Sequence, residues 1–267
     1  MTRPTSALTI AGSDSGGGAG IQADLRTFAA HGVHGLSAIT ALTAQHTRGV
    51  TAVHVPPLDF LRAQVDACFD DFDIGAVKLG MLASAGVIHA VADALAVRQP
   101  PRLVVDPVMV ATSGARLLEE DALDAMRTRL LPMADILTPN IPEAELLLGR
   151  RITTAAEAEA ALDALLAMGP RAVLLKGGHL EEGEVVIDRY ADGDTRNAFH
   201  GPRMQVDGHG TGCTLASAIA ANLCLGRALP DACAAGVDYV RDALRLGLRP
   251  GRSDVLVLGH FAARTQP

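Results

Sequence analysis

A glycine loop followed by a cysteine is the most specific catalytic pattern in the sequence. Gly210, Thr211 and Gly212 precede a strong helix pattern in VDGHGTGCTLASAIAANL, with Thr211 a suitable N-cap. Backbone N–H groups at a helix start, together with the positive end of the helix dipole, bind anions. Cys213 lies in the first turn, where the pKa of a thiol can fall well below its usual value. The pattern predicts either a reactive, base-like thiol beside an anion site or a small buried helix residue.

Polar residues that suit phosphoryl transfer follow three apolar runs. Asp106 ends one run in VVDPV, Asn140 and Glu143 follow a second in TPNIPEAE, and Lys176 ends a third in VLLKGG. In open α/β sheets the ligand site lies outside the carboxyl ends of the strands, so these groups are expected to share one cleft. Carboxylates for Mg²⁺, a lysine for phosphate oxygens and an N–H cradle are the parts of phosphoryl transfer.

The glycine-rich stretch AGSDSGGGAGIQAD near the start does not match either common nucleotide loop. A dinucleotide fingerprint would need a third glycine where Ile21 stands, and a phosphate loop of the Walker A type would need a lysine, but the first lysine is Lys78. The glycines could instead let a flat ligand lie against bare backbone, with Asp24 as a hydrogen-bond acceptor. The alternative is a tight strand-to-helix turn with a solvated Asp24.

Lysine is rare in a chain that otherwise uses arginine. Only two of the 23 basic residues are lysines, and both Lys78 and Lys176 end strand-like apolar runs. For Lys78, chance together with codon bias is one explanation, and a specific role for the lysine is the other. For Lys176 a functional role is favoured, because this lysine is expected to share a cleft with the polar groups described above.

The elements that must position these groups alternate between short apolar runs and longer helical patterns. This alternation predicts an α/β fold with a mostly parallel sheet flanked by helices. The predicted strands are SALTIAG, LSAITAL, GAVKLGM, RLVVDP, ADILTP and RAVLLKGG. In the C-terminal third, Asp192 and Gly193 between two strand-like runs predict a small β-hairpin with a primed turn. No repeat or linker interrupts the chain, so residues 1–267 are predicted to form one domain.

Composition excludes several classes of function. The net charge of −7 argues against a nucleic-acid surface. The first residues, MTRPTSALTI, are too short and too weakly apolar for a signal peptide, and no run predicts a membrane span. Cys68, Cys213, Cys224 and Cys233 lack disulfide or metal-ligand spacing and are predicted to be free thiols. These observations predict a soluble, cytoplasmic protein.

Taken in order, the motifs resemble those of the hydroxymethylpyrimidine/phosphomethylpyrimidine kinases of thiamine biosynthesis, which belong to the ribokinase-like superfamily. The resemblance rests on AGSDSGGGAGIQADLRTF, ITALTAQHT, KLGML, VVDPVM, LTPNIPEAE, LLKGGH and GTGCTLASAIAA. It implies a ribokinase-like fold, ATP with Mg²⁺, a homodimer, and two successive phosphorylations at the hydroxymethyl group of the pyrimidine.

The resemblance also implies a role for each site residue. The first glycine stretch would bind the pyrimidine, with Gly12 and Asp24 at the substrate, Gln45 reading the ring nitrogen and exocyclic amine, and Met81 and Val108 in apolar contact. Gly210, Thr211 and Gly212 would form the anion hole, and Cys213 would be the base where most of the superfamily has Asp. Lys176 would contact the transferred phosphoryl group. Mg²⁺ would be organised, mostly through water, by Asp106, Asn140 and Glu143.

Two departures from the family pattern and two alternative functions accompany this resemblance. The segment MQVDGHGTGC lacks the usual T-[KR]-N-T-H stretch, which puts the nucleotide-side lid in doubt, and Thr112 stands where a lysine is common. The nearest alternative is a pyridoxal or pyridoxine kinase. A catalytically silent pyrimidine-binding regulator is the alternative from another class, and the presence of Glu143, Lys176 and Cys213 argues against it.

Overall fold

The computed structural model describes residues 5–109 and 120–265, which form a central sheet covered by helices on both faces. Within these residues, nine strands make one sheet in the order β3-β2-β1-β4-β5-β6-β7-β8-β9. The strands are β1 (Ser6–Asp14), β2 (His34–His46), β3 (Gly49–His54), β4 (Ile74–Leu79), β5 (Leu103–Val105), β6 (Ile136–Leu137), β7 (Ala172–Leu175), β8 (Val185–Asp192) and β9 (Arg196–Pro202). Six adjacent strands, β2, β1, β4, β5, β6 and β7, are parallel to one another, while β3, β8 and β9 are antiparallel to the strands that they pair with. The predicted α/β fold with a mostly parallel sheet is confirmed.

Eight α-helices connect the strands in the described part of the chain. They are α1 (Gly20–Ala30), α2 (Leu58–Asp71), α3 (Ala85–Arg98), α4 (Glu120–Ala125), α5 (Ile141–Leu148), α6 (Ala155–Leu166), α7 (Thr211–Cys224) and α8 (Leu229–Arg245). A π-helical turn at Met126–Leu130 extends α4, and a short parallel pair, β10 (Gly208–His209) and β11 (Leu256–Val257), joins the second glycine loop to the C-terminal segment. No helix in residues 5–109 or 120–265 is long and apolar enough to cross a membrane.

Side-chain alternation along the strands builds one hydrophobic core on each face of the sheet. Leu8 and Ile10 of β1 pack into the core under α2 to α6, whereas Ala7 packs into the core under α1, α7 and α8. This is the period of two that strands impose. Small residues dominate the second core, since Ala216, Ala220 and their neighbours in α7 are fully buried, and they let α7 lie close to the sheet.

The predicted hairpin is present, but its turn is of a different kind. β8 and β9 pair antiparallel from Val185–Pro202 to Ala191–Arg196. Neither Gly193 nor Asp194 has the positive φ that a primed turn needs, so that detail of the prediction is wrong. The carboxylate of Asp192 instead accepts hydrogen bonds from the backbone N–H groups of Asp194 (2.9 Å) and Thr195 (2.7 Å), which shapes a four-residue turn. All four cysteines are free thiols, as predicted.

Candidate active site

Most of the candidate residues line one cavity of about 620 Å³. The polar groups lie where β5, β6 and β7 end, since Asp106 and Lys176 directly follow β5 and β7, and Asn140 comes three residues after the end of β6. Twelve of the predicted site residues line the cavity, namely Gly12, Gln45, Met81, Asp106, Val108, Asn140, Glu143, Lys176, Gly210, Thr211, Gly212 and Cys213. The geometry therefore brings them together, while the role of each stays a prediction.

Asp24 is the exception, because its carboxylate lies in the core rather than in the cavity. The side chain is fully buried and forms an ion pair with Lys78, with Nζ 3.0 Å from Oδ1 and 2.9 Å from Oδ2. Thr9 and Ser217 donate their hydroxyl hydrogens to the same carboxylate at 2.6 and 2.7 Å. Each carboxylate oxygen of Asp24 therefore already accepts two hydrogen bonds. The predictions that Asp24 contacts the substrate or is solvated are both wrong, because its position in α1 turns it towards the sheet and α7.

The first glycine loop (residues 12–20) is shaped by its own aspartate, Asp14, which sequence reasoning did not single out. The carboxylate of Asp14 accepts hydrogen bonds from the backbone N–H groups of Gly16 (2.8 Å), Gly18 (3.0 Å) and Ala19 (2.9 Å). Burial acts to raise the pKa of Asp14, but hydrogen bonds from His209 and from the N–H groups of Ala19 and Gly16 hold the pKa below its usual value. The signal was present, since an aspartate before a glycine turn is typical of an Asx turn.

The second glycine loop (residues 208–212) lies directly against the first. Gly210 has φ +85° and caps α7, and a Cβ at Gly210 would lie 2.0 Å from the carbonyl oxygen of Gly18. The N-cap is therefore Gly210, one residue before the predicted N-cap Thr211, which is instead the first residue of the helix. A Cβ at Gly212 would lie 3.1 Å from Lys176 Nζ and 3.5 Å from Asp106 Oδ2. The open N–H groups at the start of α7 thus face the same space as the lysine and the carboxylates.

Lys176 is the cation of this cluster. Its Nζ lies 2.9 Å from Asp106 Oδ1 and 3.6 Å from Glu143 Oε2. Burial acts to lower the pKa of Lys176, but the two carboxylates outweigh it and the pKa stays above its usual value. Burial raises the pKa of Glu143 to about 7, with Lys176 opposing the rise and Asp106 adding to it. One ammonium facing two carboxylates leaves the cluster with a surplus of negative charge when Glu143 is ionised.

Asn140 and Glu143 form a capping box at the start of α5. The amide oxygen of Asn140 accepts from the N–H of Glu143 at 2.8 Å, and Glu143 Oε2 accepts from the N–H of Asn140 at 2.7 Å. Among the described residues, no group of three or more His, Cys, Asp and Glu side chains is arranged to hold a metal ion. The carboxylates of Asp106 and Glu143 are nevertheless the hard oxygen donors that fit Mg²⁺, and the Asn140 amide oxygen keeps one lone pair beside the bond that it accepts in the cap.

The thiol of Cys213 has a higher pKa than the sequence suggests. Cys213 is partly exposed, but to the cavity interior, and this desolvation raises its pKa to about 11. Lys78 and the backbone N–H of Gly20 lower the pKa of the thiol, while Asp24 and Asp106 raise it. The expected fall in the pKa of Cys213 is wrong for the ligand-free cavity, because helix position alone ignores burial and the two carboxylates. Lys78 is the charge that most favours the thiolate.

The far half of the cavity was not predicted from the sequence. It is lined by the hairpin, the segment after it and α8, through Val186, Pro202, Met204, Val206, Val237, Val240 and Leu244. The valines and leucine of α8 recur at helical spacing, a signal that could have been read as a lining stripe but more often marks a core face. Thr112, where a lysine is common in the family, lies outside the described residues.

Comparisons with known proteins identify the family. The model of the phosphomethylpyrimidine kinase family matches residues 14–257. The chain belongs to this family. The hydroxymethylpyrimidine/phosphomethylpyrimidine kinase of Rhizobium meliloti is 50% identical over 255 residues, which cover 93% of this chain and 95% of that protein.

Solved structures extend the likeness to two kinds of kinase. The phosphomethylpyrimidine kinase of Clostridium difficile has a TM-score of 0.81 at 40% identity, covering 90% of this chain and 99% of that chain. The pyridoxal kinase of Bacillus subtilis, solved as an ADP complex, has a TM-score of 0.89 at 31% identity, covering 98% of this chain and 100% of that chain. The ribokinase-like architecture is thus shared by kinases named for different rings.

Proposed function

We propose that this protein is an ATP-dependent hydroxymethylpyrimidine/phosphomethylpyrimidine kinase. It phosphorylates the hydroxymethyl group of 4-amino-5-hydroxymethyl-2-methylpyrimidine and then adds a second phosphoryl group to the monophosphate. The observation that carries the proposal is that one cavity is lined by the Gln45 amide, the start of α7, Lys176 and the carboxylates of Asp106 and Glu143. Its volume of about 620 Å³ is within the usual range of roughly 300–1,000 Å³ for small-molecule sites.

The residues around the second glycine loop supply the electrostatic part of the reaction. The N–H groups at the start of α7 and the ammonium of Lys176 face the space in which negative charge would develop on the transferred phosphoryl group. Preorganised donors of this kind stabilise a transition state more than a ground state. Mg²⁺ held by Asp106 and Glu143 would bind phosphate oxygens of ATP and offset the surplus negative charge of these carboxylates.

Cys213 is the proposed base for the first phosphorylation. As the hydroxymethyl oxygen forms its bond to the γ-phosphorus and the bond to the leaving ADP oxygen breaks, the hydroxyl proton passes to the thiolate of Cys213, which becomes a thiol. A base works best when its pKa is close to the working pH, and the ligand-free pKa of about 11 leaves little thiolate at neutral pH. The charge of Lys78 therefore contributes to catalysis by lowering the pKa of Cys213 below what burial alone would give.

The pyridoxal kinase reading remains the second candidate, because the TM-score to the Bacillus subtilis pyridoxal kinase is 0.89 over almost the whole chain. Steady-state rates with hydroxymethylpyrimidine and with pyridoxal, each with Mg-ATP, distinguish the two. We expect the higher kcat/KM for the pyrimidine. A higher value for pyridoxal would favour the second candidate, and no ATP turnover with either ring would favour a silent binding protein. A homodimer and a cytoplasmic location stay predictions, and sedimentation velocity tests the first.

A further inference from the structure

A polar network joins the two glycine loops at the Gln45 end of the cavity. His209 Nε2 lies 3.0 Å from Asp14 Oδ2 and 3.1 Å from the atom placed as Gln45 Nε2. The atom placed as Gln45 Oε1 lies 3.0 Å from the hydroxyl oxygen of Thr43, which in turn lies 3.0 Å from the carbonyl oxygen of Ser13. The His209 ring packs so closely over the first loop that a Cβ at Gly18 would lie 2.5 Å from its Cδ2. The network is therefore held from both loops.

The hydrogens available in this network favour one orientation of the Gln45 amide. The Asp14 carboxylate is ionised and can only accept, so the His209 nitrogen 3.0 Å away must carry a proton. A protonated nitrogen cannot also accept from an amide N–H of Gln45. At the other end, the Ser13 carbonyl oxygen and the atom placed as Gln45 Oε1 are both acceptors and have only the single hydroxyl hydrogen of Thr43 to share. With the amide placed as above, two N–H groups face each other between Gln45 and His209, and two acceptors compete for one hydrogen at Thr43.

Rotating the Gln45 amide by half a turn removes the donor–donor contact at His209 and the competition for the hydroxyl hydrogen of Thr43. Oxygen and nitrogen of a side-chain amide are assigned from their hydrogen bonds rather than from their positions. In the rotated amide, Oε1 shares the single Nε2–H of His209 with Asp14 Oδ2 in a three-centre hydrogen bond, Nε2 donates to the Thr43 hydroxyl oxygen, and Thr43 donates to Ser13. Every donor then meets an acceptor along the chain from Asp14 to Ser13.

We infer that His209 is a positioning residue for ring recognition, and that with Asp14 and Thr43 it locks the Gln45 amide with its oxygen towards the second glycine loop. One lone pair of Oε1 and one N–H of Nε2 remain for a ligand. This free edge accepts on the side near His209 and donates on the side near Thr43. His209 thereby decides which way round a ring with adjacent donor and acceptor groups can bind.

This inference deepens the proposed function and rests on it for the identity of the ring. In 4-amino-5-hydroxymethyl-2-methylpyrimidine, the ring nitrogen lies beside the exocyclic amine, and the hydroxymethyl group is next to the amine on its other side. A fixed amide edge accepts from the amine and donates to the nitrogen in one ring orientation only. The hydroxymethyl group is then directed to one side of Gln45. Pyridoxal has no exocyclic amine, so the locked edge favours the pyrimidine.

The protonation of His209 in the ligand-free protein tests the inference without reference to any activity. Long-range ¹H–¹⁵N correlation spectra of the ¹⁵N-labelled protein separate a protonated Nε2 from an unprotonated one, and His209→Gln assigns the signal. We expect a protonated Nε2 in the wild type at neutral pH. We also expect the Gln45 side-chain N–H signals to shift in Thr43→Val and to stay near their wild-type positions in Thr43→Ser. An unprotonated Nε2 of His209 would overturn the inference.

Kinetics of a matched pair of variants test the consequence for the ring. His209→Met keeps the length of the side chain but has no donor, whereas His209→Gln can place an amide N–H near the position of Nε2. We expect His209→Met to raise the KM for hydroxymethylpyrimidine about three- to tenfold, the range of one neutral hydrogen bond, with the KM for ATP unchanged. We expect His209→Gln to recover most of this loss, and Gln45→Leu to match or exceed it.

The outcomes separate this inference from the proposed function. Equal losses for the pyrimidine, pyridoxal and ATP in His209→Met, without recovery in His209→Gln, would show that His209 only holds the loops together and would overturn the positioning role. A wild-type enzyme that fails to phosphorylate the pyrimidine would refute the proposed function, while the NMR result would still decide the orientation of the amide.

Discussion

Replacing Lys78 with methionine measures how strongly the buried ion pair behind the active site supports the fold. Lys78 and Asp24 both have fully buried side chains, and the two carboxylate oxygens lie 3.0 and 2.9 Å from Nζ. Burial acts to lower the pKa of Lys78, but the charge of Asp24 outweighs it and raises the pKa to about 12. The methionine variant leaves Asp24 in the core with only the hydroxyl groups of Thr9 and Ser217 as donors.

Breaking a buried pair by removing one partner typically costs about 3–5 kcal/mol. For chains of roughly 150–250 residues each kcal/mol lowers Tm by about 2–4 °C, which gives a fall of about 6–20 °C. Urea unfolding followed by far-UV circular dichroism gives the free energy of unfolding directly. The double variant Lys78→Met, Asp24→Asn should recover much of the loss, because a neutral amide can still bond to both hydroxyl groups.

A surface pair provides the matched control. Arg62 lies 4.0 Å from Asp93, with side chains that are 50% and 56% exposed, so Arg62→Met should cost less than about 1 kcal/mol. If Lys78→Met cost no more than Arg62→Met, or if the double variant were no more stable than Lys78→Met, the account of Lys78 as the partner of a buried charge would be refuted.

Three further predictions concern the cluster around the second glycine loop. Lys176→Met should lower kcat by raising the activation barrier by about 2–4 kcal/mol, the range for loss of one stabilising donor. An unchanged pre-steady-state rate of phosphoryl transfer would instead assign Lys176 a structural role. Cys213→Ala should slow the first phosphorylation about 10²- to 10⁴-fold but the second much less, because the attacking monophosphate is already largely ionised near neutral pH. Cys213→Asp should keep more activity than Cys213→Ala. Equal slowing of both steps in Cys213→Ala would contradict the role of Cys213 as the base. Folding raises the pKa of Glu143 from 4.5 to about 7, so the folded protein binds this proton more tightly than the unfolded chain does. The stability that this proton contributes is therefore lost as the pH rises from 4.5 to about 7. Relative to the non-titrating Glu143→Gln, the ligand-free wild type should therefore lose stability between pH 4.5 and 7, and parallel unfolding curves across that range would argue against the shift.

The parts of the fold that could be predicted from the sequence are those that local pattern determines. Apolar runs such as GAVKLGM become β4, and the spacing of Asn140 and Glu143 becomes a capping box. The edge strand β3 was missed because Gly49–His54 is largely exposed, so it lacks the apolar alternation of a half-buried strand. The turn at Gly193 was misread because the Asp192 carboxylate, rather than glycine geometry, shapes it.

The site could be predicted as a set of residues but not as a set of interactions. The carboxyl ends of parallel strands brought Asp106 and Lys176 together, as the topology requires. Asp24 was misplaced because its short distance from the first glycine loop in sequence says nothing about which face of α1 it occupies. The pKa of Cys213 was misjudged because it depends on charges that the fold brings from α1, β4 and the end of β5.

The masses of the products formed from hydroxymethylpyrimidine and excess Mg-ATP test the central claim most directly. Mass spectrometry of a time course should show the monophosphate first and then the diphosphate, with one ADP formed for each phosphoryl group transferred. The same incubation with pyridoxal in place of the pyrimidine should give much slower product formation. An unchanged pyrimidine mass, with a phosphorylated product only from pyridoxal, would contradict the account.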